Sequence, residues 1–127
     1  MRDLLFIFVG GGLGSVARFV LGKWMTTFHT QNFPYGTLVV NVLACLALGF
    51  LVGLADQRQL ISAPSRLFWT VGFCGGFSTF STFSAETIQL IQAGFHISSV
   101  VYVIGSLIFC LAATFLGLYL GEAINYR

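Results

Sequence analysis

Residues Gly72 to Glu86 read GFCGGFSTFSTFSAE: four phenylalanines, five hydroxyls and a carboxylate inside a run otherwise apolar enough to cross a membrane. On a helix, at about 100° per residue, Phe80 and Phe83 lie within about 60° of one another. Thr79, Thr82 and Glu86 gather on a different side, so one helix offers an aromatic edge beside a hydroxyl track that ends in an acid. This combination suits the handling of a small anion. A phenyl ring is positive at its edge and hydroxyls donate hydrogen bonds, so an ion can exchange water for them. No full positive charge is needed, and such a charge would hold the ion too tightly to release it. Phe73 and Phe77 are assigned to packing, the usual task of phenylalanines at helical spacing. Glu86 is compatible with three roles: a proton-coupling carboxylate, an acceptor for nearby hydroxyls, or a group near the interface.

The same segment contains Gly72, Gly75 and Gly76, followed by Ser78 and Thr79. Each glycine lowers helix propensity by about 1 kcal/mol, and the hydroxyls compete for backbone hydrogen bonds. A break near residues 75–79 is expected. Non-helical backbone at membrane depth survives only when buried in protein or lining a cavity, so carbonyls freed there offer a place for a cation.

Two other segments carry polar stripes. Thr37, Asn41, Cys45, Gly49 and Gly53 follow at four-residue steps, and Tyr102, Ser106, Cys110 and Thr114 repeat the pattern later in the chain. Asn41 is the costly member, because its amide needs partners where there is no water; it is either interhelical glue or a donor lining a pathway. Serines and threonines can bond back to their own helix, so the second stripe is weaker evidence. In the first segment, GGGLGSVAR places Gly10 and Gly14 four residues apart, a spacing that lets another helix approach closely. Its GxGxxA order lacks the preceding strand and βαβ unit of a dinucleotide loop. Arg18 lies about 21 Å along a helix starting at Leu4, by a rise of about 1.5 Å per residue. It either snorkels to the far interface or attracts anions in a vestibule.

The elements that must position these groups follow from composition. Of 127 residues, 57% are hydrophobic and only 8% charged, with a mean hydropathy of +0.90. An all-α membrane protein is predicted, a single domain over 1–127 with four spans near 4–25, 37–55, 67–92 and 97–121. The short connection around Ala93 to His96 implies a tight hairpin between the third and fourth spans. Three cysteines, widely separated and each in an apolar stretch, make no disulfide framework. A net charge of +2 from so few groups leaves no basic patch for nucleic acid. The N-terminal apolar run is interrupted by Arg18 and followed by further spans, so it reads as a first span rather than a cleaved signal. Arg2, Arg58, Arg66 and Arg127 share one side in a four-span plan, which favours a cytoplasmic N-terminus, although so small a bias leaves insertion in both orientations open. Four short helices enclose little space alone, so a transporter built from them is expected to be an oligomer, most simply a dimer.

The run GFCGGFSTFSTFSAE resembles the third-span signature of the Fluc (CrcB) family of bacterial fluoride channels, and GGGLGSVAR and GTLVVNVLAC resemble its first and second spans. The resemblance implies an antiparallel, dual-topology homodimer in the bacterial cytoplasmic (inner) membrane, with two pathways that pass fluoride ion through the lipid bilayer. It maps pore-lining phenylalanines onto Phe80 and Phe83 and an ion donor onto Asn41. Thr37, Thr82, Glu86, Tyr102 and Ser106 are similar to the family's polar track. It further implies a central structural sodium ion (Na+) held by the backbone carbonyls of Gly75 and Ser78 from each subunit. Ser78 stands where threonine is usual, Ser15 where alanine is common, and Cys110 where a serine is expected in the track.

Two other classes compete. A small multidrug-resistance type exporter also uses four short helices in a dimer, but needs a membrane-embedded acid in its first span, where this chain has Arg18 and no acid beyond Asp3. A purely structural assembly protein explains the glycine face and leaves Phe80, Phe83 and Asn41 without a reason.

Overall fold

The computed structural model describes residues 1–28, 33–56 and 61–125. Arg58 and Arg127, which enter the expected charge asymmetry, lie outside the described residues. All regular structure among the described residues is helical. Helix α1 spans Arg2–Thr26 and α2 spans Tyr35–Asp56. A four-residue turn, α3 (Ala63–Arg66), is capped by the Ser62 hydroxyl, which accepts from the Ser65 amide at 3.4 Å. It runs without interruption into a π-helical stretch, Leu67–Cys74, and then α4 (Gly75–Phe77), with helical dihedrals at each junction. After a break come α5 (Phe80–Gln92) and α6 (His96–Asn125).

Among the described residues three helices are long and apolar enough to cross a bilayer, Arg2–Thr26, Tyr35–Ala55 and His96–Ile124, and their 18-residue apolar stretches have mean hydropathies of 2.0, 2.6 and 2.3. Their outward surface is correspondingly apolar. Phe8, Leu111 and Phe115 are each at least 70% exposed, which suits lipid and not water. The third segment is divided at Ser78–Thr79, so neither of its pieces has the length of the other three.

Glycine governs how the rods touch. A Cβ on Gly10 or Gly14 of α1 would run into the Phe68 or Phe73 carbonyl of the π-helical stretch. Gly72 and Gly76 reciprocate against the backbone of Ile7, Gly10 and Gly11. The GxxxG face expected in the first segment is therefore the contact between α1 and the third segment. An independent and equally close contact joins α2 to α6, with Gly49 and Gly53 set against the Thr114 and Leu118 carbonyls, and Gly117 and Gly121 against those of Leu46 and Phe50.

The connection between α5 and α6 is as short as expected. Gly94 adopts φ 83°, its amide donates to the Ile91 carbonyl at 3.0 Å, and the Phe95 amide reaches back to Leu90 at 2.8 Å. This is a Schellman turn, in which a left-handed glycine satisfies the last carbonyls of a helix. Buried Ser99 on α6 donates to the Thr87 carbonyl at 3.4 Å and ties the hairpin together.

The predicted break is present, but its cause differs from the expectation. Gly75 is helical (φ −65°, ψ −39°), and the helix ends only where Ser78 (φ −75°, ψ 156°) and Thr79 (φ −150°, ψ 115°) become extended. Gly72 and Gly76 serve close packing against α1, while hydroxyl and asparagine chemistry opens the backbone. The π-helical stretch was not foreseen; such turns are rare and frequently accompany functional sites.

Candidate functional site

The site is organised by the extended pair Ser78–Thr79. Thr79 is buried and caps α5, its hydroxyl oxygen accepting from the Thr82 amide at 3.2 Å and donating to the Thr82 hydroxyl at 3.0 Å. Such an N-cap contributes about 1 kcal/mol to the helix it starts. Asn41 reaches across from α2 and pairs with the Thr79 main chain twice. Its Oδ1 accepts from the Thr79 amide at 2.8 Å, and its Nδ2 donates to the Thr79 carbonyl at 3.1 Å. The costly amide of α2 is thus satisfied by the main chain of Thr79, whose amide the break leaves without a helical acceptor.

One turn of α2 earlier, the Thr37 hydroxyl donates to Oε1 of Glu86 at 2.8 Å, and the Tyr102 hydroxyl from α6 donates to Oε2 at 2.8 Å. Three helices meet at this carboxylate. Of the three roles open to Glu86 from sequence, the geometry is that of an acceptor for neighbouring hydroxyls. Tyr102 is 1% exposed and lies beside Phe83, their ring centroids 5.0 Å apart and tilted by 50°. The Phe80 and Phe83 centroids are 5.6 Å apart. Phe80 itself is 79% exposed on the single chain.

Ser106, one turn beyond Tyr102, is buried, and its hydroxyl has no hydrogen-bond partner among the described residues. Thr114 instead donates back to the Cys110 carbonyl at 2.9 Å, the self-satisfied arrangement that weakens a stripe as evidence. The guanidinium of Arg18 has a buried, unpartnered Nε and lines a cavity of about 450 Å³ with Thr37, Thr79 and Thr82. A larger cavity, about 760 Å³, lies apart from these groups, between Leu48, Val52, Arg66 and Val71. Among the described residues no cluster of three or more histidine, cysteine or acidic side chains is placed to hold a metal ion.

The structure therefore brings Thr37, Asn41, Thr82, Phe83, Glu86 and Tyr102 together around Thr79, with Arg18 at the cavity. Phe80 faces outward from this cluster. Sequence reasoning placed Thr79 on the hydroxyl track and missed its main chain as the partner of Asn41. Its position three residues before Thr82, at the start of a helix, was the available signal. Ser15 was also unassigned; its hydroxyl donates to the Gly76 carbonyl at 3.4 Å.

Several apolar membrane-length helices with polar groups converging on a broken segment define a multi-pass helical membrane protein. The sequence profile of the CrcB-like protein, camphor resistance (CrcB) family matches residues 5–118, and the chain belongs to that family. Among its curated relatives is the fluoride-specific ion channel FluC of Phocaeicola vulgatus, 43% identical over 122 residues, which cover 96% of this chain and 100% of that one. Proteins of the same name from Geobacter metallireducens and Pyrococcus furiosus are each 41% identical, covering 93% and 96% of this chain and 95% and 98% of theirs. These relatives are channels, not enzymes.

Proposed function

We propose that this chain is the subunit of a passive, fluoride-selective channel that lets cytoplasmic fluoride leave the cell and so relieves its toxicity. The observation that carries this reading is the convergence of Thr37, Asn41, Glu86 and Tyr102 on the helix break beside Phe83, inside an apolar protein. Fluoride is small and tightly hydrated, so its path must replace water with closely spaced donors. The free second hydrogen of the Asn41 amide, the hydroxyls of Thr82 and Ser106, and the ring edges of Phe80 and Phe83 supply them. A larger anion meets the same donors in too narrow a space. Arg18, in its cavity with an unpartnered Nε, attracts anions towards the entrance. Glu86 does not face the ion bare: both of its oxygens are occupied by hydroxyls, which turns an acid that would repel fluoride into the anchor of its track. An inside-negative membrane potential favours anion exit by about 2.3 kcal/mol per charge per 100 mV.

In this reading the third segment, residues 67–92, also crosses the membrane and completes a set of four spans, and two chains pair antiparallel in the inner membrane to form two pathways. The outward-facing Phe80, 79% exposed on one chain, supports a second subunit that covers it. A sodium ion between the subunits suits the chemistry present. In an unbroken helix the Gly75 and Ser78 carbonyls would accept from the amides of Thr79 and Thr82, but those amides donate to Asn41 and to the Thr79 hydroxyl. Hard carbonyl oxygens turned away from helical bonding suit a small hard cation. Bound there, sodium would supply a fixed positive charge that holds the two breaks together.

Fluoride efflux from liposomes containing the purified protein tests the proposal, with a fluoride electrode as detector and a potassium ionophore to relieve voltage. Rapid fluoride release without chloride release is expected; a folded protein that releases neither, or both alike, removes the reading.

A further inference from the structure

Asn41 has more hydrogen-bonding capacity than an ion donor needs, and the structure spends most of it on one peptide unit. Its Oδ1 takes the Thr79 amide at 2.8 Å, the group that would otherwise bond the Gly75 carbonyl. Its Nδ2 holds the Thr79 carbonyl at 3.1 Å with one hydrogen, leaving the other free. Three residues on, the Thr79 hydroxyl takes the Thr82 amide at 3.2 Å, the group that would otherwise bond the Ser78 carbonyl. The Gly75 and Ser78 carbonyls are therefore deprived of their helical donors by two identifiable acceptors, and Asn41 fixes the residue that provides the second.

We propose that Asn41 is a positioning residue for the cation-holding carbonyls, acting through the Thr79 peptide, as well as a donor on the anion path. One side chain then couples the two ions: its oxygen frees the Gly75 carbonyl for the cation, while its remaining N–H faces the anion. The α2 helix gives the clamp its rigidity. Asn41 follows Val40, which is 1% exposed, and lies one turn beyond Thr37, itself tied to Glu86 at 2.8 Å, so α2 has little freedom to move away from the break. The coupling rests on the proposed function for both ions; the bonds from Asn41 to the Thr79 peptide stand apart from it.

The test separates the two roles with two substitutions. N41D retains an oxygen for the Thr79 amide and has no N–H for an anion, whereas N41A retains neither. Three readouts are compared: fluoride efflux, hydrogen exchange of the Thr79 amide in threonine-labelled protein, and the sodium concentration that half-maximally raises the thermal midpoint, with choline holding ionic strength constant. For N41A the expected result is Thr79 exchange faster by at least about tenfold, as two hydrogen bonds of ordinary strength imply, and a similar rise in the sodium required. N41D keeps the acceptor for the Thr79 amide but sets an oxygen against the Thr79 carbonyl, so the expected result is exchange and sodium dependence between those of the parent and N41A, with efflux lost. Equal Thr79 exchange in the parent, N41D and N41A overturns the clamp, and an unchanged sodium requirement in N41A, or none in the parent, overturns its link to the carbonyls. If N41A does not assemble, N41D decides alone: lost sodium dependence with a protected Thr79 amide overturns the proposal. A parent that passes no fluoride defeats the channel reading and leaves the exchange and sodium results to judge the clamp.

Discussion

The two halves of α2 face different problems. Its C-terminal half, through Gly49 and Gly53, meets α6 backbone to backbone, with Gly117 and Gly121 returning the contact. Its N-terminal half presents Thr37 and Asn41, which bond Glu86 and the Thr79 peptide through side chains. In a membrane, where association gains nothing from excluding water, the first half coheres by packing and the second by hydrogen bonds. Small residues give proximity without direction. Polar side chains give direction, at the cost of requiring every partner to be present. The glycine half can hold the fold, and the polar half can be devoted to an ion.

That contrast breaks most visibly at Gly117. A Cβ there would meet the Leu46 carbonyl and stand 2.7 Å from the Phe50 amide nitrogen, and backbone cannot swing aside. Gly117→Val is expected to destabilise the fold by about 3 kcal/mol or more, read as loss of the monodisperse species on size exclusion after mild heating. A parent-like profile would mean that α2 and α6 are not held by backbone proximity.

In the polar half, Glu86→Gln keeps one acceptor oxygen for two donors and turns an amide towards the other. About 2 kcal/mol of stability should be lost, because one of the two donors, the Thr37 or the Tyr102 hydroxyl, is left facing an amide without its acceptor. Thermal unfolding in detergent measures it, and Thr37→Val in the same background should then cost less than it does alone. Full additivity would place Thr37 and Glu86 in separate networks.

Phe83→Ile keeps bulk and removes the ring edge beside Tyr102. Efflux of fluoride should slow by about tenfold while the thermal midpoint falls by only a few degrees, since a ring pair such as Phe83 and Tyr102 is worth about 1 kcal/mol. A lower midpoint with normal efflux would assign Phe83 to packing. The smallest effect belongs to Cys110→Ser. The Thr114 hydroxyl bonds the Cys110 carbonyl and not its thiol, so stability should move by less than about 0.5 kcal/mol and efflux should not fall.

What the sequence revealed follows the same division. The Gly10 and Gly14 pair was legible because four-residue spacing fixes one helix face, and its contact is where a glycine face must go. The hairpin after Gln92 was legible from a connection too short for anything else. The location of the break was legible, its cause was not. Glycines read as helix breakers are helical in the structure, because close packing against α1 outweighs their low propensity. The π-helical Leu67–Cys74 leaves no pattern in a uniformly apolar stretch, where any periodicity fits. The bond from Asn41 to Thr79 spans 38 residues, and only tertiary structure makes such neighbours.

The Schellman turn that closes α5 on α6 also bears on how the protein is made. Its three residues, Ala93, Gly94 and Phe95, carry no charge, and their turn satisfies its own carbonyls. The turn itself therefore adds no ionised group to the acids that the two helices already carry, whichever face insertion machinery starts from. Delivery from either side demands the same work at this point, and the decision on orientation falls to the few arginines elsewhere in the chain.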